Sequence, residues 1–269
     1  MNHSYVFTVI TGASQGLGSA MAIANAKRGR HLVLLSLPNE NLPAFAQRLA
    51  QKYRVQVLYY ETDLTQPDAP WQFFNWIKTQ NLHVNTLINN AGIGGTALFE
   101  SASTAYIDNI ILLNVRALAM LTHLFVPELR QHPDARILNI SSLAAFSPMP
   151  FKTVYPASKA FVYSFSLGLH EELRRTSIRV SVLHPGPIET TAENTLRLAK
   201  HGFWAKLSTL TAAEIADITL QEMQRGKLVI IPGWLNKISY YLLNWTPHSL
   251  RLRILGRVFT KELNIRHAR

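Results

Sequence analysis

Short apolar runs alternate with helix-patterned stretches almost from end to end, which predicts an α/β fold: one doubly wound parallel sheet of about seven strands, flanked by helices. The runs are continuous rather than alternating, as in strands buried on both faces. The 269 residues are 48% hydrophobic and 16% charged, enough for one sizeable core and unlike a disordered chain.

The elements follow in order. Val6–Ile10 reads as a strand ended by Thr11-Gly12, and alanine-rich Ser19–Arg28 as a helix. Leu32–Leu35 is a second strand, with a helix through about Tyr53. Val55–Tyr60 is the third strand, Trp71–Thr79 a helix and Thr86–Asn89 the fourth strand. A long helical stretch covers Ala105–Leu129, before strand Arg136–Ile140 and helix Ala157–Arg175. Ile178–Leu183, helix Thr211–Gln224 and strand Lys227–Ile231 complete the set. Residues 1–234 form one domain, and 235–269 a C-terminal extension.

With no cysteine, disulfides, thiolate metal sites and cysteine nucleophiles are excluded. No metal site is expected: the ten histidines are scattered, and His170-Glu171-Glu172 lacks the second histidine of H-E-x-x-H. Met1–Ile10 has no signal-peptide pattern, and no run of 18 apolar residues predicts a spanning helix, so cytoplasmic residence is the expectation. The net charge is +11, of which +8 falls in 225–269, where nine Lys/Arg face one acid. Beside Tyr240, Tyr241 and Trp245, that basic tail suits a membrane-surface segment, a lid or a subunit contact. No nucleic-acid partner is expected.

Three constellations carry chemistry. Thr11-Gly12-Ala13-Ser14-Gln15-Gly16-Leu17-Gly18 joins a strand to a helix, with glycines where a turn, a close phosphate approach and tight helix packing need them. The helix N-terminus would face the pyrophosphate of a dinucleotide. Asp63 and Asn89-Asn90-Ala91-Gly92 follow later strands, and Asp63 suits an adenine amino group. Tyr155 and Lys159 share one helix face, so an ammonium can draw the phenol's pKa toward the working range; Ser142 can donate to a substrate oxygen.

Together with Asn114 and Pro185-Gly186-Pro187-Ile188-Glu189-Thr190, these motifs resemble the short-chain dehydrogenase/reductases, from about Val6 to Gly233. The resemblance implies a Rossmann-type fold and an NAD(P)-linked interconversion of a carbonyl and a secondary alcohol. It makes Tyr155 the general acid, Lys159 its partner and holder of the nicotinamide ribose, Ser142 the carbonyl-orienting group and Asn114 the anchor of a water. Gly12, Ser14, Gln15, Gly16, Leu17, Gly18, Ser36, Asp63, Leu64, Asn90, Ala91, Gly92, Pro185 and Gly186 would hold the cofactor. Ile188, through its backbone, and Thr190 would hold its carboxamide.

Ser36 stands where family members that prefer NAD usually carry an acid, and Gln15 and Leu37 where NADP users commonly carry a base. With no acid there and Ser14 and Ser36 able to bond a 2′-phosphate, NADP is favoured modestly over NAD. The substrate loop would include Leu196, Leu198, Phe203, Trp204 and Leu207, suiting a hydrophobic ketone, acyl chain or ring system. A homodimer or homotetramer is expected. The alternative is a dinucleotide-sensing regulatory protein on the same fold, its basic tail holding a partner.

Overall fold

The computed structural model describes residues 5–189, 210–247, 249–253 and 256. Seven parallel strands form one sheet in the order β3-β2-β1-β4-β5-β6-β9: β1 Val6–Thr11, β2 His31–Ser36, β3 Val57–Glu61, β4 His83–Asn89, β5 Ala135–Ile140, β6 Ile178–Leu183 and β9 Val229–Ile230. A two-stranded parallel ribbon, β7 Ile188–Glu189 with β8 Leu210–Thr211, lies apart from it and was not anticipated.

The strand order reverses at β1, opening a crevice between the carboxyl ends of β1 and β4. One face of the sheet is covered by α1 Gly16–Ala26, α2 Leu42–Tyr53 and α7 Ala212–Gln224. The other is covered by α3 Ala69–Thr79, α5 Leu118–Leu129 and α6 Val154–Glu172. The two-sided burial explains the unbroken apolar runs: in β1, Phe7 and Val9 enter one layer and Ile10 the other. Thr211 caps α7 reciprocally, its hydroxyl accepting from the Glu214 amide while the Glu214 carboxylate accepts from the Thr211 amide.

Several boundaries move. β4 begins at His83 rather than Thr86, since pairing with Val6 and Phe7 recruits its polar start. The seventh strand shrinks to Val229–Ile230, stopped by Pro232. α6 begins three residues earlier than expected, which brings Tyr155 and Lys159 into its first two turns; Pro156 fits there, where amides lack intrahelical partners.

The stretch expected as one helix is α4 Thr104–Ile111, a π-helical turn Leu112–Ala117 and then α5. Contrary to the expectation of no spanning-length helix, Thr104–Leu129 is long and apolar enough to cross a membrane. Its Ala117, Leu121, Phe125 and Leu129 pack into the core.

The extension is no separate appendage at its start. α8 Trp234–Trp245 docks Asn236 so closely on Gly186 that a Cβ there would lie 2.5 Å from the Asn236 Oδ1. Tyr240 meets Phe146 at 4.6 Å, and the buried Arg251 guanidinium donates to the Phe146 carbonyl.

Candidate active site

A cavity of about 620 Å³ opens at the carboxyl ends of β1, β2, β4 and β5. Gly12, Ser14, Gln15, Gly16, Leu17, Gly18, Ser36, Asp63, Leu64, Asn90, Ala91, Gly92, Tyr155, Lys159 and Pro185 all line it, so most of the expected set converges.

The glycine turn is built for close approach. Gly12 and Gly16 take positive φ (63° and 57°), and a Cβ on Gly18 would sit 1.9 Å from the Gly12 carbonyl oxygen. α1 therefore packs directly on the turn. Its N-terminus carries neither a side-chain cap nor an acid in the first turn, leaving its amides and positive dipole end facing the cavity.

Asn90 holds this turn from the other side: Nδ2 donates to the Thr11 and Gly12 carbonyls at 2.9 and 3.0 Å. The Thr11 hydroxyl accepts from the Asn90 and Ala91 amides. The residues thus fit a bound dinucleotide: a glycine cradle, free helix amides and a cavity of suitable size.

The adenosine end differs from expectation. Glu40, absent from the expected set, lines the cavity and accepts a hydrogen bond from the Ser14 hydroxyl. Ser36 is buried, and its hydroxyl donates to the Leu37 carbonyl at 3.1 Å. The reading that found no acid at this end considered only the strand terminus; Glu40, in the turn before α2, adds a carboxylate to the cavity wall. An acid four residues beyond β2 was the available signal.

Asp63 is held in its own turn, accepting from the Thr65 amide and hydroxyl at 2.9 and 2.8 Å and from Gln66. Burial raises its pKa, but these bonds outweigh it and hold the carboxyl below its ordinary value.

At the other end, Lys159 is 5% exposed and its Nζ donates to the Ile140 carbonyl at 2.9 Å. Burial lowers its pKa to about 8. The ammonium lies 5.9 Å from the centre of the Tyr155 ring. Burial also raises the Tyr155 pKa, with a hydrogen bond to Ser142 acting in the opposite direction. Desolvation is the larger effect on the phenol and opposes the depression expected from Lys159.

Asn114 sits inside the π turn and clamps two segments. Its Oδ1 accepts from the Ile93 amide, and its Nδ2 donates to the Ile93 carbonyl and the Ser158 hydroxyl, all at 2.9 Å. Its Oδ1 and the Lys159 Nζ both crowd Gly92, 3.0 and 3.2 Å from where a Cβ would stand. His184 was not anticipated. Fully buried, its Nδ1 lies 2.9 Å from the Ser142 carbonyl, and burial depresses its pKa to about 4, keeping the ring neutral. Gly186 serves the α8 contact rather than lining the cavity. Thr190 and the apolar positions 196–207 lie outside the described residues.

Residues 7–201 match the family model described as short chain dehydrogenase. The chain is a short-chain dehydrogenase/reductase. It is 30% identical to a very-long-chain 3-oxoacyl-CoA reductase of Bos taurus, across 94% of this chain and 83% of the relative. It is equally identical to human 17-beta-hydroxysteroid dehydrogenase type 3, across 85% and 76%. A short-chain dehydrogenase from Sphingobium yanoikuyae, solved in complex with NADPH, superimposes with a TM-score of 0.75 at 29% identity, covering 90% of this chain and 96% of that one. This short-chain dehydrogenase/reductase is an oxidoreductase of the CH–OH/C=O class.

Proposed function

We propose that this enzyme reduces a hydrophobic ketone or 3-oxoacyl-type carbonyl with NADP(H), the proton coming from Tyr155. The observation that carries the reading is Tyr155 beside buried Lys159, in a cavity whose far end is a glycine cradle. When bound, the nicotinamide supplies the hydride.

The protein's own part is proton delivery and orientation. Ser142 donates to the carbonyl oxygen and polarises it. Tyr155, protonated because it is buried, gives its proton to that oxygen as negative charge develops. Lys159 stabilises the resulting phenolate. Asn114 fixes the loop at Ile93 and, through Ser158, the start of α6, so the two halves of the site keep their spacing. Ile188, in β7, would hold the carboxamide through its backbone. The cofactor-sensing alternative would need only the cradle; Tyr155 set beside the buried Lys159 has no use in it.

The substrate class rests on the 3-oxoacyl-CoA and steroid activities named for the two relatives, and the cofactor on the NADPH named for the solved neighbour. A homodimer or homotetramer remains part of the proposal. So does peripheral membrane contact, for which Trp234, Ile238, Tyr241, Leu242 and Trp245 form one exposed face of α8 beside Lys237.

The test is a screen of long-chain 3-oxoacyl thioesters, bulky ketones and steroid ketones with NADPH and NADH. Consumption of NADPH with at least one class, lost in Tyr155→Phe, is expected. Failure with every class despite cofactor binding overturns the reading.

A further inference from the structure

At the amino edge of the sheet, three side chains with metal-ligating atoms converge. His83 begins β4, Glu128 lies in the last turn of α5, and His132 follows in the turn leading to β5. One ligand atom from each lies within 4.8 Å of the other two.

The cluster is incompletely satisfied. Glu128 is 3% exposed; its Oε2 accepts from Lys78 Nζ at 2.8 Å, while its Oε1 faces His83 Nδ1 at 4.0 Å, beyond hydrogen-bond reach. The Nε2 of His132 is buried without a hydrogen-bond partner among the described residues. The His83 and His132 rings meet edge to face, 6.3 Å between centres. Buried polar atoms in native proteins are ordinarily paired, and a divalent cation would pair the His132 Nε2 while engaging the Glu128 carboxylate and His83.

The donor set selects the ion. Two imidazoles and one carboxylate suit zinc and its borderline neighbours cobalt and nickel; calcium and magnesium want oxygen alone. Zinc bonds of about 2.0–2.2 Å place ligand atoms roughly 3.3–3.5 Å apart, so the cluster closes by side-chain rotation of about an ångström. Exposed His83 is free to make it.

The geometry points to a divalent transition-metal site of the zinc class, with His83, Glu128 and His132 as protein ligands and Lys78 as the competing cation. Such an ion would tie β4, α5 and the approach to β5 together. The six steps from His83 to Asn89 span about 20 Å, so it would act on the fold and not on the chemistry.

The experiment titrates zinc chloride into chelator-stripped full-length protein by calorimetry, alongside thermal unfolding. One ion per chain and a raised unfolding midpoint, reversed by a chelator, are expected. His83→Ala and His132→Ala should each weaken binding about tenfold or more. His123→Ala, an exposed change elsewhere on α5, should leave it intact. Lys78→Met should tighten it several-fold, a gain that misfolding does not produce. Absent stoichiometric binding, affinity that neither His83→Ala nor His132→Ala lowers, equal weakening by His123→Ala, or weakening by Lys78→Met each overturns the site.

Discussion

Tyr155 and Lys159 stand four residues apart on α6, and burial shifts both toward their neutral forms, raising the phenol and lowering the ammonium to about 8. A protonated tyrosine suits the reductive direction directly. Tyr155→Phe keeps the ring and removes the proton, so turnover should fall by about 10²–10⁴ while cofactor affinity stays within a few-fold; steady-state rates and a cofactor titration decide it. Glu40 makes a second case. Its carboxylate on Ser14 would stand against a 2′-phosphate, so Glu40→Gln should raise NADP(H) affinity about tenfold relative to NAD(H). Unchanged affinity for both cofactors in a fluorescence titration would place Glu40 away from that phosphate.

The element that governs the cofactor end is the junction of β1 with α1. Gly18→Ala would drive a methyl into the Gly12 carbonyl, backbone against backbone. Cofactor affinity should fall by at least tenfold with the fold retained, read by binding and circular dichroism together. This junction was legible in the sequence because a glycine turn after an apolar run has few other physical uses. Tyr155, Ser142, Lys159 and the cradle were legible for the same kind of reason, chemistry at fixed spacing. Glu40 and His184 were not, since an acid in the turn before a helix and a histidine after a strand are ordinary turn and core residues. The π turn was hidden because apolar periodicity in Ala105–Leu129 does not register one extra residue. Glu128 and His132 are four apart, yet His83 joins them only through the strand order.

Over the whole molecule, buried bases set the response to pH. His184 has its folded pKa depressed from 6.5 to about 4, so between those values the unfolded chain binds the extra proton. Stability is fully present above about 6.5 and lost as pH falls toward 4, by roughly 3 kcal/mol at about 1.4 per unit. Urea midpoints across that window should slope downward, and His184→Phe should flatten the slope. Surface charge acts on location instead. Of the nine basic residues in 225–269, Arg225 and Lys227 are already paired with Glu222, and Arg251 is buried on Phe146, leaving Lys237 and Arg253 outward among the described residues. Held near anionic lipid at about 1 kcal/mol each, with the apolar face of α8 adding burial, they should bring the protein down with anionic vesicles at low salt and release part of it at high salt. Protein that stays in the supernatant at low salt would assign that face to a subunit contact.

The π turn at Leu112–Ala117 has one more consequence, for the tolerance of this chain to gain or loss of a single residue. A π turn holds one residue that an α turn would not. Deleting Leu113 would let the helix run regularly into α5, whose apolar side is anchored in the core, and the change would fall on the turn itself. The turn carrying Asn114 would tighten from π to α, and Asn114 would lose its register with Ile93 and Ser158. Helix length here is thus a setting of the active site, and a smoother helix would be a poorer enzyme.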